Sequence, residues 1–183
     1  ELTKQTRDWK EILDIGLGKS SGPFINHRPQ WPSHNNRFKP VAEAVYRCFE
    51  EVAFALLDAI ASNLGVPEQE LRRAFAPEHT SYLRLNHYPP CAQPALPDGL
   101  TISESGNLGL NFHTDAGALS VLYISDQPGL EVFKNGKWTP VNHMPGCLVI
   151  NLGDMMQVWS NDQYPAPVHR VVVNTDAERF SAP

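Results

Sequence analysis

The chain has 183 residues, 42% of them hydrophobic, and a formal net charge of −5, which suits a single domain with a real core. No block of Lys and Arg offers footing for a phosphate backbone, which argues against a nucleic-acid binder, and every apolar stretch is interrupted by charge well short of a membrane span. Cys48, Cys91 and Cys147 are odd in number and share no metal-like or disulfide-like spacing, so a reducing compartment, the cytoplasm, is the expected location.

Residues 1–36 combine a short helix expected near Asp8 to Ile15 with a Gly, Ser, Pro and Asn-rich loop expected to be mobile. Pro40 then opens a long amphipathic helix with Val41, Val45, Cys48, Val52, Leu56, Ile60 and Leu64 on one stripe, and Gly65 closes it. A second, short helix follows Pro67, with Glu68 and Glu70 in the first turn, where the helix dipole favours negative charge. From Ser81 onward the pattern changes to β-branched and aromatic runs divided by Pro, Gly, Asn and Asp, and Lys134-Asn-Gly-Lys137 is a hairpin signal. The expected architecture is mainly β with N-terminal helices: a β body packed against the long helix, with a mouth able to take a ligand.

Within the β region, polar residues recur two apart, the spacing that puts side chains on one face of a strand. Leu108 to Asp115 reads as a strand ending in a turn at Ala116-Gly117, so His113 and Asp115 share a face. The run Ala166 to Asn174 puts His169 on the face of Val171 and turns Arg170 the other way. Two imidazoles and one carboxylate make a metal-ligand set of the kind that holds non-heme Fe(II) and leaves positions open for a co-substrate and O2. Arg179 and Ser181 repeat the spacing, and an Arg fork beside a hydroxyl suits a carboxylate. Asn86 and Tyr88 repeat it again before the Pro89-Pro90 stop.

A solitary histidine in a β body is more often a hydrogen-bonded core or surface residue than a ligand, and His27, His34, His79, His87 and His143 are left at that reading. Asp154 reads as a turn residue capping backbone groups. Phe112, Tyr82 and Trp159 could wall a pocket, although aromatics at strand spacing usually belong to the core.

From about Tyr82 to its end the sequence resembles the plant-type 2-oxoglutarate and Fe(II)-dependent dioxygenases, a family that includes the isopenicillin N synthase and aminocyclopropane-carboxylate oxidase branches. The likeness is carried, in the family's order, by Leu83 to Pro94, His113 to Ser120, Pro128 to Val132, Gly136-Lys-Trp138, Asn151-Leu-Gly-Asp154, Trp159-Ser-Asn161, His169-Arg170 and Arg179-Phe-Ser181. The resemblance implies a double-stranded β-helix, or jelly roll, with Fe(II) held by His113, Asp115 and His169. It further implies that Arg179 and Ser181 bind the distal carboxylate of 2-oxoglutarate, with Asn86 and Tyr88 near co-substrate and metal. Residues 1–80 would be a partial N-terminal helical region, and residues 81–183 a catalytic core truncated at its C-terminus.

The implied activity couples oxidative decarboxylation of 2-oxoglutarate to hydroxylation or other oxidation of a small organic substrate, of the hormone or specialised-metabolite class, with O2 as oxidant. Two alternatives stay open. One is an Fe(II) oxidase of the same fold that does not use 2-oxoglutarate and turns the Arg-x-Ser fork on a substrate carboxylate. The other is a non-catalytic jelly-roll module that binds a small molecule. A hydrolytic zinc site would want a general base, and none is evident near His113. The oligomeric state, the substrate and the oxidative outcome are not legible at this level.

Overall fold

A computed structural model describes residues 7–17, 29–76 and 79–183. Two units emerge from the packing, one made of residues 1–12 and 85–183, the other of residues 13–84, and each is treated by itself. Part of the Gly- and Pro-rich loop of the sequence reading, residues 18–28, lies outside the described residues, as does His27.

The second unit is built on α1 (Phe38–Asn63) and α2 (Glu70–Arg73). Pro40 sits in the first turn of α1, where its missing N–H costs nothing. The helix ends when Gly65 and Val66 donate backward to the carbonyls of Ser62 and Ala61, at 3.0 and 3.1 Å, a paired closure that satisfies two otherwise orphaned carbonyls. The buried stripe of α1 is Ala42, Tyr46, Leu57, Ile60 and Ala61, turned by about one residue from the expected one. Val41 is 59% exposed and Cys48 is at the surface. Apolar spacing alone fitted either register, and the small Ala42 and Ala61 with the Tyr46 hydroxyl, bonded to Ser81 O at 3.1 Å, occupy the inner face instead.

The expected helix near Asp8 to Ile15 is absent. Glu11–Ile15 form strand β1, which lies at the edge of a five-stranded sheet beside β2 (Leu83–Tyr88). The segment is too short to sustain a helix alone, whereas ion pairs favour the extended form: Asp14 takes a forked pair of bonds from Arg84, both 2.7 Å, and Glu11 meets His87 Nδ1 at 2.8 Å.

The first unit holds most of two sheets, with residues 13–15 of β1 and 83–84 of β2 counted in the second. One has the order β1-β2-β9-β4-β7 and the other β3-β8-β5-β6, with β3 Leu108–His113, β4 Leu119–Ile124, β5 Leu130–Lys134, β6 Lys137–Pro140, β7 Val149–Leu152, β8 His169–Val172 and β9 Arg179–Ala182. The ladders β2/β9, β9/β4, β4/β7, β3/β8, β8/β5 and β5/β6 are all antiparallel. The hairpin at Asn135-Gly136 forms as expected, with φ of 52° and 78°, the backbone that a two-residue turn joining twisted strands requires. A short helix, α3 (Asp154–Trp159), was not anticipated. Tyr88 and Ile124 from the larger sheet pack with Leu130 and Val171 from the smaller one, so the core lies between the sheets. Arg170 is buried on the other face of β8, bonded to Glu131 at 2.7 Å and to Pro97 O at 2.6 Å, with the Trp138 ring 4.1 Å away.

Candidate metal centre and carboxylate anchor

His113 and His169 are direct partners across the β3/β8 ladder, but only because β3 is irregular. The register runs Leu108 to Val172, Leu110 to Val171 and His113 to His169, with a shift between each pair. A regular ladder continued from the first pair would set Asn111 opposite His169. Two extra residues on β3 deliver His113 instead, the re-aiming that bulges perform beside sites. The rings then lie 4.2 Å apart between centroids.

Each ring is held by its far nitrogen. Nδ1 of His113 lies 2.8 Å from Asn111 O, and Nδ1 of His169 lies 3.2 Å from Pro167 O. A carbonyl can only accept, so Nδ1 carries the proton and Nε2 presents a lone pair, the tautomer a metal requires. Both Nε2 atoms sit 3.6 Å from Oδ1 of Asp115. One donor atom from each of His113, Asp115 and His169 lies within 4.8 Å of the others, the sole such cluster among the described residues. Burial pushes the His169 imidazolium down, and the neighbouring His113 adds to this, so the neutral ligand form is favoured. For Asp115 burial acts against the charge, and the hydrogen bonds that its carboxylate accepts from Asn151 and Ser120 oppose that.

Asp115 does not reach this position as the sequence reading supposed. Strand β3 ends at His113, and Asp115 projects from the following loop. That loop is pinned by backbone bonds: Gly153 N to Ala118 O at 3.0 Å, Asp154 N to Asp115 O at 2.7 Å and Met155 N to Gly117 O at 3.2 Å. The contact is so close that a Cβ on Gly153 would stand 2.1 Å from Gly117 O and 2.6 Å from Asp115 O, so only glycine fits there. Asp154 is the first residue of α3 and accepts from Thr114 Oγ1 at 3.2 Å, a different role from the expected turn cap.

The second cluster lies on the larger sheet. In the β2/β9 ladder Asn86 stands opposite Ser181 and Tyr88 opposite Arg179, so the two pairs form one four-residue patch. Asn86 Nδ2 donates to Ser181 Oγ at 3.2 Å, while burial pushes the Tyr88 hydroxyl pKa up and the nearby Arg179 and Ser181 oppose that. The Arg179 guanidinium lies 5.1 Å from the Tyr88 ring centre. Arg179 is only 2% exposed, yet its Nε and Nη1 have no hydrogen-bond partner, nor has Oδ1 of Asn86. Buried polar groups are almost always paired. A buried cation with two unspent donors is therefore fitted to receive an anion, and a carboxylate has the matching geometry.

Ser120, Asn151, Gly153 and Asp8 were not singled out by sequence reasoning, although the first three lie within its family blocks. Asp8 accepts the backbone N–H of Asn111 at 3.2 Å and Trp9 N donates to Leu108 O at 2.9 Å, so this segment covers part of the free edge of β3. Of the histidines left unassigned, His79 pairs with Glu50 and His87 with Glu11 and Glu178. Phe112 is in the core, whereas Tyr82 and Trp159 are each 38% exposed.

Residues 79–183 match the family model described as the 2OG-Fe(II) oxygenase superfamily. The chain belongs to this superfamily. It is 38% identical over 180 residues to the Arabidopsis thaliana protein DMR6-LIKE OXYGENASE 2, covering 98% of this chain and 47% of that protein. It is 39% identical over 182 residues to flavanone 3-dioxygenase 2 of Oryza sativa subsp. japonica, covering 98% and 49%. Among solved structures, JOX2 in complex with 2OG, Fe and JA superposes with a TM-score of 0.74 at 30% identity, over 96% of this chain and 48% of that one. The chain thus spans about half the length of the curated relatives it matches, and its antiparallel sheets have the jelly-roll fold of the superfamily. Among the described residues no helix is long and apolar enough to cross a membrane.

Proposed function

We propose that this chain is part of a 2-oxoglutarate and Fe(II)-dependent dioxygenase that oxidises a small organic molecule. Residues 81–183 would form its catalytic core, and residues 1–80 an N-terminal helical region. His113, Asp115 and His169 would hold Fe(II). Arg179 and Ser181 would bind the far carboxylate of 2-oxoglutarate, with Asn86 and Tyr88 lining the same patch. The reading is carried by one observation: three donor atoms converge within 4.8 Å in the same unit as a buried guanidinium with two unspent donors.

When bound, iron would activate O2, the oxidant, using two electrons from 2-oxoglutarate, which would leave as succinate and CO2. The residues of the chain contribute orientation. The carbonyls of Asn111 and Pro167 fix the tautomer and tilt of both imidazoles, and Arg179 offers a charge that loses no energy to solvent reorganisation because it is already buried. The relatives named for flavanone oxidation and the structure with bound JA support a substrate of the plant hormone or flavonoid class. The absence of any disulfide among Cys48, Cys91 and Cys147 supports the cytoplasm as location.

The test is turnover by the full-length protein with isotope-labelled 2-oxoglutarate. Labelled succinate should form only when Fe(II) is present, slowly alone and faster with a substrate. Iron-dependent O2 uptake that leaves the label untouched would sink the 2-oxoglutarate assignment and favour an oxidase. No metal binding at all would sink the enzyme reading.

A further inference from the structure

The two oxygens of Asp115 have different surroundings. Oδ2 accepts hydrogen bonds from Ser120 Oγ at 2.9 Å and from Asn151 Nδ2 at 2.5 Å. Oδ1 faces Nε2 of both His113 and His169 at 3.6 Å, beyond ordinary hydrogen-bond range. Ser120 and Asn151 are direct partners in the β4/β7 ladder, so the two donors stand side by side on one rung. The backbone of Asp115 is tied to the same stretch through Asp154 N.

We propose that Ser120 and Asn151 are positioning residues that occupy Oδ2 and reserve Oδ1 for the metal, so that Asp115 binds through one oxygen and cannot chelate. This rests on the metal-site reading above and deepens it. On a six-coordinate ion, two imidazoles and one carboxylate oxygen leave three positions. A two-point co-substrate and one small co-reactant need all three. Were Asp115 to chelate through both oxygens, only two would remain. Oδ2 is kept away not by distance but by two donors, one a neutral amide and one a hydroxyl, which satisfy the lone pairs that would otherwise turn toward the cation. Both hydrogen bonds go to Oδ2 rather than Oδ1, which separates this role from ligation.

Mn(II) is the probe, bound by the full-length protein without co-substrate. Its affinity follows from titration of free Mn(II), and the number of waters on the bound ion from water-proton relaxation. The Ser120→Ala/Asn151→Ala double variant should bind Mn(II) about 10–100-fold more weakly, the usual effect of removing groups that orient a ligand. The bound ion should carry roughly two waters in place of about three. Ser120→Thr keeps a hydroxyl and should retain both wild-type values. Each alanine variant alone should move the same way by less, which keeps the experiment decisive if the double variant does not fold. A wild-type water number in all the alanine variants overturns the inference, whatever their affinity. A wild type that binds no Mn(II) overturns the metal-site reading, and the inference falls with it.

Discussion

Arg179→Met tests the anchor because the two readings of this residue predict opposite effects. The guanidinium is 2% exposed, with Nε and Nη1 unpartnered, and burial lowers its proton affinity. In the ligand-free protein it is thus a buried charge whose desolvation is poorly offset, and an apolar side chain of similar length should leave stability unchanged or raise it. Loss of its contact with the buried Tyr88 ring, worth about 2 kcal/mol for a desolvated pair, limits that gain. With 2-oxoglutarate bound, two charge-assisted hydrogen bonds are at stake, each worth about 1.5–3 kcal/mol. The lower figure gives a loss of about 3 kcal/mol, or roughly 140-fold in Kd at 1.4 kcal/mol per decade. Calorimetric titration of 2-oxoglutarate into the Mn(II)-loaded full-length protein, beside a ligand-free melting curve, separates the two. A Kd within about threefold of wild type would refute the anchor, and so would a large ligand-free loss of stability, which would make Arg179 an ordinary structural residue.

Gly153→Ala forces a Cβ to within 2.1 Å of Gly117 O, a clash between backbones that costs about 1–3 kcal/mol or more. Melting temperature and Mn(II) affinity should fall together, and unchanged affinity would show that Gly153 does not seat the Asp115 loop. Arg170→Ala strands Glu131 beside an emptied pocket under Trp138 and should cost about 3 kcal/mol in denaturant unfolding; a loss below about 1 kcal/mol would mean that solvent already screens the pair. Two histidines give stability opposite dependences on pH. Burial holds the folded His169 pKa below 6.5, so its contribution is present above 6.5 and lost as pH falls toward the folded value, and His169→Asn should remove that loss from metal-free melting curves. The hydrogen bond to Glu11, with help from Glu178, raises His87, so its contribution is complete below 6.5 and lost as pH rises through the folded value. His87→Gln should flatten that limb, and an unaltered profile would refute the coupling.

The sequence exposed the residue types of the site but not how they meet. Strand spacing correctly paired Asn86 with Tyr88 and Arg179 with Ser181, because β2 and β9 are regular and period two is all that a regular strand needs. The same rule misdescribed Asp115, since β3 stops at His113 and a loop takes over. No local pattern signals the two irregularities that bring His113 opposite His169, because a bulge is decided by what the partner strand requires. The strand at Glu11–Ile15 was misread for a related reason. Its preference was set by Arg84 and His87, seventy or more residues from their partners, and tertiary pairing overrode local propensity.

The proposed metal donors and the proposed anchor stand on different sheets, and this sets what must be rigid. His113 and His169 belong to β3 and β8 of the four-stranded sheet, and Asp115 follows directly. Arg179, Ser181, Asn86 and Tyr88 belong to β9 and β2 of the five-stranded one. The separation between the two clusters is therefore fixed by the packing between the sheets rather than by any single strand. Tyr88 takes part in both. Its side chain is buried in the inter-sheet core with Val171, two residues from His169, and the Arg179 guanidinium lies 5.1 Å from its ring centre. Gly109 of β3 makes room for that ring, as a Cβ there would lie 2.7 Å from it. A core packed to crystal-like density transmits displacement instead of absorbing it. A change in volume at Val171 or Gly109 should thus alter the distance from the proposed metal site to the proposed anchor, and weaken 2-oxoglutarate binding without touching any group placed against it.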